Sequence, residues 1–311
     1  FLLFLGAVTS LSLPPYNYFF VNFFTFTIFF FILIKNYDPY KSYKFFFIYG
    51  WLFGFGYFGS SLYWISISLT FDQNFKFLVP LTLVLIPAFL SIFYGLVSYL
   101  FLLFRFKKSI NSFLFFSLVF ALLEFIRGSI LTGFPWNLIA FSFSNQLEIL
   151  SIVTLIGTYG FNLFCISLFA SPALLILRNN RINIFVPIFL FICFVIFYFY
   201  GNSYKQKFYN NADKTLEYKV RLIGSNVSLD RFYSNANSIL ILENLIKISN
   251  LKFDEKTILV WPEAAIPDIS QKELKEYKWL FEKNFNNNHY LIIGINSDSV
   301  NNGIKKYFNS F

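Results

Sequence analysis

Over the first 200 residues, charged side chains are confined almost entirely to short loops between long apolar runs, and this pattern limits what the chain can fold into. A helix that crosses a bilayer needs about 20 mostly apolar residues. Seven runs are candidates: Phe1–Leu13, Tyr18–Ile34, Phe45–Leu69, Phe77–Phe104, Ile110–Ile126, Leu147–Leu177 and Ile182–Tyr200. Only 13% of the residues are charged, against roughly 25% in soluble domains, so most of the chain does not face water. The first run is short and the chain contains no Met, so the sequence is expected to start upstream of Phe1. A cleaved signal peptide is the competing reading of that run, but Leu13-Pro14-Pro15 lacks the small-residue cleavage pattern.

The loops orient the bundle. Lys35, Lys41 and Lys44 follow the second run, Arg105, Lys107 and Lys108 the fourth, and Arg178 and Arg181 the sixth. The alternate loops carry only Lys76 and Arg127. Basic loops stay in the cytoplasm, so the last run should exit on the far side, with everything after Tyr200 extracytoplasmic. Much of the net charge of +9 serves this rule and does not indicate nucleic acid.

After Gly201, Lys, Asp, Glu and Asn return and the apolar runs shorten. Leu216–Val227 reads as a strand, Asn235–Ser249 as a packed helix and Thr257–Trp261 as a short buried strand. Gln271–Phe285 reads as an amphipathic helix with Leu274, Tyr277, Leu280 and Phe281 inward, and Tyr290–Ile295 as a further strand. Strand–helix alternation implies an α/β domain with a largely parallel sheet. The expected architecture is a polytopic α-helical membrane bundle over residues 1–200, followed by an α/β extracytoplasmic domain over 201–311. A last strand starts at Tyr307 and is cut off at Phe311, so the chain is expected to be a fragment.

Three constellations carry candidate chemistry. In Ile258–Asp268, four apolar residues run into Trp261-Pro262-Glu263 and then Ala264-Ala265. Groups that do chemistry in open α/β sheets gather past the carboxyl ends of strands. Glu263 therefore reads either as a general base with room for a ligand beside it, or as a surface carboxylate on a turn. In Gly128–Asn137, two glycines, Pro135 and Trp136 shape a loop between the fifth and sixth runs. Glu124 and Arg127 lie one turn apart beside it. They read as an interfacial anchor with a snorkelling pair, or as a lipid-headgroup contact. Gly54–Trp64 reads as a close helix-packing face. Cys165 and Cys193 lie inside apolar runs and read as small buried hydrophobes, and the single His289 cannot build a His-based metal cluster. No metal and no cofactor are expected.

Together, Gly54–Trp64, Leu131-Thr132-Gly133-Phe134-Pro135-Trp136, Tyr159-Gly160-Phe161-Asn162 and Val260–Asp268 resemble the apolipoprotein N-acyltransferase family of bacterial inner-membrane enzymes. The resemblance implies a nitrilase-like αββα domain on the periplasmic side, mounted on an eight-helix bundle. It implies a Glu-Lys-Cys triad, with Glu263 at the Glu position and the Lys and Cys beyond Phe311. An aromatic residue important in the family falls at Tyr233, thirty residues before Glu263, or at the adjacent Phe232. The preceding Asn226-Val227-Ser228-Leu229 keeps the family's Asn but departs from its usual Pro-Gln pair. Trp136 and Pro135 are candidate substrate contacts. The implied partners are a membrane phospholipid as acyl donor and a diacylglyceryl-cysteine lipoprotein as acceptor. The alternatives are a membrane-anchored nitrilase-like amidase and a non-catalytic lipid-binding or transport protein. The near absence of mid-span charge counts against transport.

Overall fold

The computed structural model describes residues 1–36, 43–104, 106, 109–131, 133–177, 181–212, 217–224, 238–263, 265–266, 269–301 and 304–310. The chain divides into two compact units, Phe1–Asn211 and Ala212–Phe311.

The first unit is helical: α1 (Leu2–Thr9), α2 (Val21–Lys35), α3 (Tyr43–Ser61), α4 (Val79–Leu103), α5 (Ser109–Ser129), α6 (Leu147–Leu150), α7 (Val153–Ala170), α8 (Pro172–Ile176) and α9 (Ile182–Ala212). Two 3-10 segments, Tyr63–Thr70 and Gln73–Leu78, join α3 to α4. Among the described residues four helical stretches are long and apolar enough to cross a membrane: Gln73–Leu103, Ser109–Ser129, Val153–Ile176 and Asn183–Asn211. Lys44–Ser61 with Tyr63–Thr70, bent by 47°, makes a fifth if counted as one span. This is a multi-pass membrane protein.

The count falls short of seven because the first two apolar runs form short helices, Leu2–Ser12 and Val21–Lys35. At 1.5 Å per residue, α2 covers about 22 Å, less than the roughly 30 Å hydrocarbon core. The turns from Leu13 to Phe20 use residues that would have lengthened it. The last helix, by contrast, continues past Tyr200 to Ala212, and the division between units falls after Asn211.

Within the bundle, sidedness follows polarity in the sense expected of a membrane protein. On α5, Ser112, Ser117, Glu124 and Arg127 are buried, whereas Leu114, Leu118, Leu122 and Phe125 face outward. An outward apolar side chain costs nothing in lipid, while a polar one must find partners inside. Stacked and edge-on phenylalanines fill the interior, with Phe29 and Phe53 stacked at 4.3 Å and Phe120 edge-on to Tyr94 at 4.6 Å. Small residues bring the helices together. A side chain on Gly6 would strike the Phe53 carbonyl, one on Gly56 the Leu3 carbonyl, and one on Gly50 the Tyr94 carbonyl. Gly59 has nothing within 4 Å, so it takes no part in the close packing read from Gly54–Trp64. Gly56→Leu should therefore unseat α1 from α3 at a cost of about 1–3 kcal/mol. It should lower the thermal unfolding midpoint in detergent, whereas Gly59→Ala should not.

The second unit holds a parallel sheet in the order β1 (Lys219–Leu222), β2 (Thr257–Trp261), β3 (His289–Ile293). Val220, Ile258 and Tyr290 share one register row, and Leu222, Val260 and Ile292 another. Helices α10 (Ser238–Ser249) and α11 (Lys278–Asn284) supply Leu242, Leu245, Ile246 and Leu280 to a core with Leu259 and Trp261. The opposite face keeps Val220, Leu222, Tyr290 and Ile292 exposed. Three expectations shift. The helix expected over Gln271–Phe285 is a 3-10 turn, Glu273–Tyr277, running into α11. The strand expected over Tyr290–Ile295 ends at Ile293, because Gly294 passes hard against the Glu263 backbone and the chain leaves the sheet there. The last strand pairs antiparallel in a separate hairpin, β4 (Ile295–Asn301) with β5 (Ile304–Ser310).

Candidate functional site

Glu263 lies two residues past β2, at the carboxyl edge of the parallel sheet. Its placement follows from local anchoring on both sides. Before it, Trp261 is buried, and its indole N–H donates to Ser249 Oγ at 3.0 Å. After it, the Ala265 N–H donates to the Pro262 carbonyl at 3.2 Å, and Ala265 and Ile266 are buried. Opposite it runs Gly294, where an added Cβ would stand 3.1 Å from Glu263 Cα. The turn is thus pinned by apolar side chains while the carboxylate itself is exposed. Sequence reasoning missed Gly294. Its signal was a glycine interrupting the apolar run Leu291-Ile292-Ile293-Gly294-Ile295.

Lys272 and Lys305 both reach Asp298 Oδ2, at 2.9 and 3.7 Å. The hydrogen bond from Lys272 holds the Asp298 carboxyl below the usual carboxylate range. Tyr233 and Phe232 fall in 225–237, outside the described residues.

In the first unit, four stretches that are far apart in sequence converge. Glu124 and Arg127 are 0% and 1% exposed and face each other at 3.7 Å. They do not snorkel. Glu124 accepts a hydrogen bond from Tyr94 Oη at 2.8 Å and another from Asn162 Nδ2. The other end of the Asn162 amide accepts the Ala140 N–H at 2.9 Å. Arg127 Nη1 donates to the carbonyls of Phe134 and Trp136, at 2.8 and 2.9 Å, and the guanidinium lies over the Phe58 ring at 5.2 Å. Tyr57 Oη donates to the Asn137 carbonyl at 2.9 Å.

The consequence is a clamped loop. Leu131, Gly133 and Asn137 all have positive φ, at 53°, 81° and 57°. For the two non-glycine residues this is an unfavourable backbone conformation, and it persists where the surroundings over-determine it. Here three loop carbonyls are tied to buried side chains of α3 and α5. Tyr159 of α7 closes against Gly128, leaving no room for a side chain there. Trp136 is held at the surface, 50% exposed, stacked on Trp64 at 5.3 Å and beside Phe134 at 5.7 Å. Pro135 is exposed next to it. Tyr94 is the member with no sequence signal, since one tyrosine in an apolar helix resembles any other.

Two cavities flank this loop. The first, about 410 Å³, lies between α4 and the loop, lined by Leu85, Ile86, Phe89, Phe93, Phe134 and the guanidinium-bearing Arg127, among others. The second, about 430 Å³, is bounded by Leu13, Pro14, Pro15, Trp64 and Trp136, with Ser10, Ser60, Ser61, Tyr63, Asn137 and Ser144 giving polar groups and no charge.

Comparison with known proteins covers most of the chain. The family model of the apolipoprotein N-acyltransferase N-terminal domain matches residues 5–171. The chain is 31% identical over 275 residues to an apolipoprotein N-acyltransferase of Brucella melitensis biotype 1, covering 85% of this chain and 51% of that protein. It is 29% identical over 287 residues to one from Rhodopseudomonas palustris, covering 86% and 52% respectively. Over 183 residues it is 34% identical to one from Rhizobium rhizogenes, covering 57% and 34%. The chain spans about half the length of the curated relatives it matches over most of its own length.

Proposed function

Because the chain belongs to the apolipoprotein N-acyltransferase family, we propose that it forms the membrane bundle and the first part of a nitrilase-like αββα domain in an enzyme that acylates lipoproteins. The enzyme moves an acyl chain from a membrane phospholipid to the α-amine of a diacylglyceryl-cysteine apolipoprotein. It works in the bacterial cytoplasmic membrane with the α/β unit on the periplasmic side. The observation that carries this reading is the place of Glu263, at the carboxyl edge of a parallel sheet in a chain whose residues 5–171 match the family's N-terminal domain.

Glu263 is the general base. It takes the proton of a cysteine thiol that, by the family resemblance, lies beyond Phe311, because thiolate is the competent nucleophile. Sulfur attacks the ester carbonyl carbon of the phospholipid, and a lysine, also beyond Phe311, stabilises the oxyanion. The ester C–O bond breaks, Glu263 returns the proton to the departing alkoxide, and a lysophospholipid leaves behind an acyl-thioester. In the second half-reaction the lipoprotein amine attacks the thioester, an amide C–N bond forms and the C–S bond breaks. Glu263 takes the proton lost by the nitrogen and the thiol is restored. Splitting the transfer in two is the general benefit of covalent catalysis. The apolar cavity beside α4 favours a long-chain donor over the small amide of a hydrolase.

The product of the complete reading frame, in detergent with phospholipid and a diacylglyceryl-cysteine peptide, should release lysophospholipid and N-acylate the peptide. Ammonia release from simple amides without any phospholipid requirement would overturn the assignment.

A further inference from the structure

We infer that the Trp64–Trp136 stack separates two substrate cavities, so that donor and acceptor are held on opposite sides of one aromatic wall. This rests on the acyl-transfer reading above. The two lining sets share no residue and adjoin along two stretches of chain, at Trp64–Ile65 and at Phe134–Trp136. Ile65, Gly133 and Phe134 face the first cavity, whereas Tyr63, Trp64, Trp136 and Asn137 face the second. The wall is continuous, since Trp136 stacks on Trp64 and leans on Phe134. Arg127 and Tyr57 fix it from behind through the carbonyls of Phe134, Trp136 and Asn137.

The chemistry of the two sides differs. Aliphatic and aromatic side chains of α4 line the first cavity, and their neighbours Leu83 and Val84 face outward on the same helix. That side suits a hydrocarbon chain entering from the bilayer. The second cavity offers six hydroxyls, with Tyr16 among them, and an amide without a charged group. Uncharged donors and acceptors suit a peptide backbone, which presents alternating N–H and C=O groups that must be paired once removed from water. The acceptor is the substrate with a peptide. The second cavity is therefore assigned to the first residues of the lipopeptide, and the first cavity to the donor acyl chain.

The two half-reactions separate the roles. Ile86→Trp narrows the first cavity and Ser61→Trp the second. In the product of the complete reading frame, Ile86→Trp should slow lysophospholipid release about tenfold and leave transfer from a preformed thioester to a lipopeptide within about twofold. Ser61→Trp should do the reverse, through a raised KM for the lipopeptide, as loss of uniform binding requires. Leu85→Trp and Ser60→Trp repeat the test at neighbouring positions should either first variant fail to fold. If both classes slow both half-reactions alike, the cavities are not divided in this way. If the unaltered protein performs neither half-reaction, the acyl-transfer reading itself fails, an outcome distinct from the first.

Discussion

Glu263→Gln is expected to remove acyl transfer while leaving the fold in place. The substitution keeps the shape and removes the carboxylate that the proposed mechanism uses as its base. Positioned acid–base catalysis contributes about 10²- to 10⁴-fold, and both half-reactions draw on it, so lysophospholipid release and lipopeptide acylation should fall together. The fold should survive because Trp261, Ala265 and Ile266 are buried and the Ala265 N–H is bonded to the Pro262 carbonyl, which holds the turn. Glu255→Gln is the matched control. That carboxylate pairs with Lys219 and Lys252 on the surface, at 3.1 and 3.4 Å, and should leave the rate unchanged. Measured with radiolabelled phospholipid, turnover by Glu263→Gln at the level of the control would remove Glu263 from the mechanism.

Arg127→Met should have the largest effect in the membrane bundle. It leaves Glu124 buried with only the Tyr94 and Asn162 hydrogen bonds. Breaking a buried pair from one side costs about 3–5 kcal/mol. The expected result is a large drop in the thermal midpoint and in folded yield. The double variant Glu124→Gln, Arg127→Met removes the stranded charge and should recover much of that stability. It should not recover activity, because the carbonyls of Phe134 and Trp136 still lack their donor and the loop is no longer clamped. Full stability together with full activity in the double variant would show that the clamp has no part in function.

The two kinds of prediction reflect two kinds of legibility. The strand-end position of Glu263 could be read from sequence because its signal is local. An apolar strand, a Trp-Pro-Glu turn and small residues after it are contiguous, and Thr257–Trp261 forms the strand over the very span its composition indicated. The Glu124–Arg127 spacing was also visible, but its direction was not. One helical turn places the two side chains together, and whether they point to headgroups or to the interior depends on neighbouring helices. Tyr94 and Asn162 decide it from α4 and α7. The break of α7 at Gly157, with φ at 71°, belongs to the same class, since the apolar run passes through it without interruption.

The sequence alone therefore determined that the first part of the chain enters a membrane and that a strand–helix unit follows. It also determined that a lone carboxylate ends a buried strand, because hydrophobic runs and turn residues act over a few neighbours. The tertiary structure alone decided that Tyr57, Tyr94, Arg127 and Asn162 form one network, that the loop they hold stacks Trp136 on Trp64, and that two cavities flank it. A polar side chain buried among helices takes its partner from whichever backbone or side chain comes within about 3 Å, and that distance is set by packing between segments tens of residues apart.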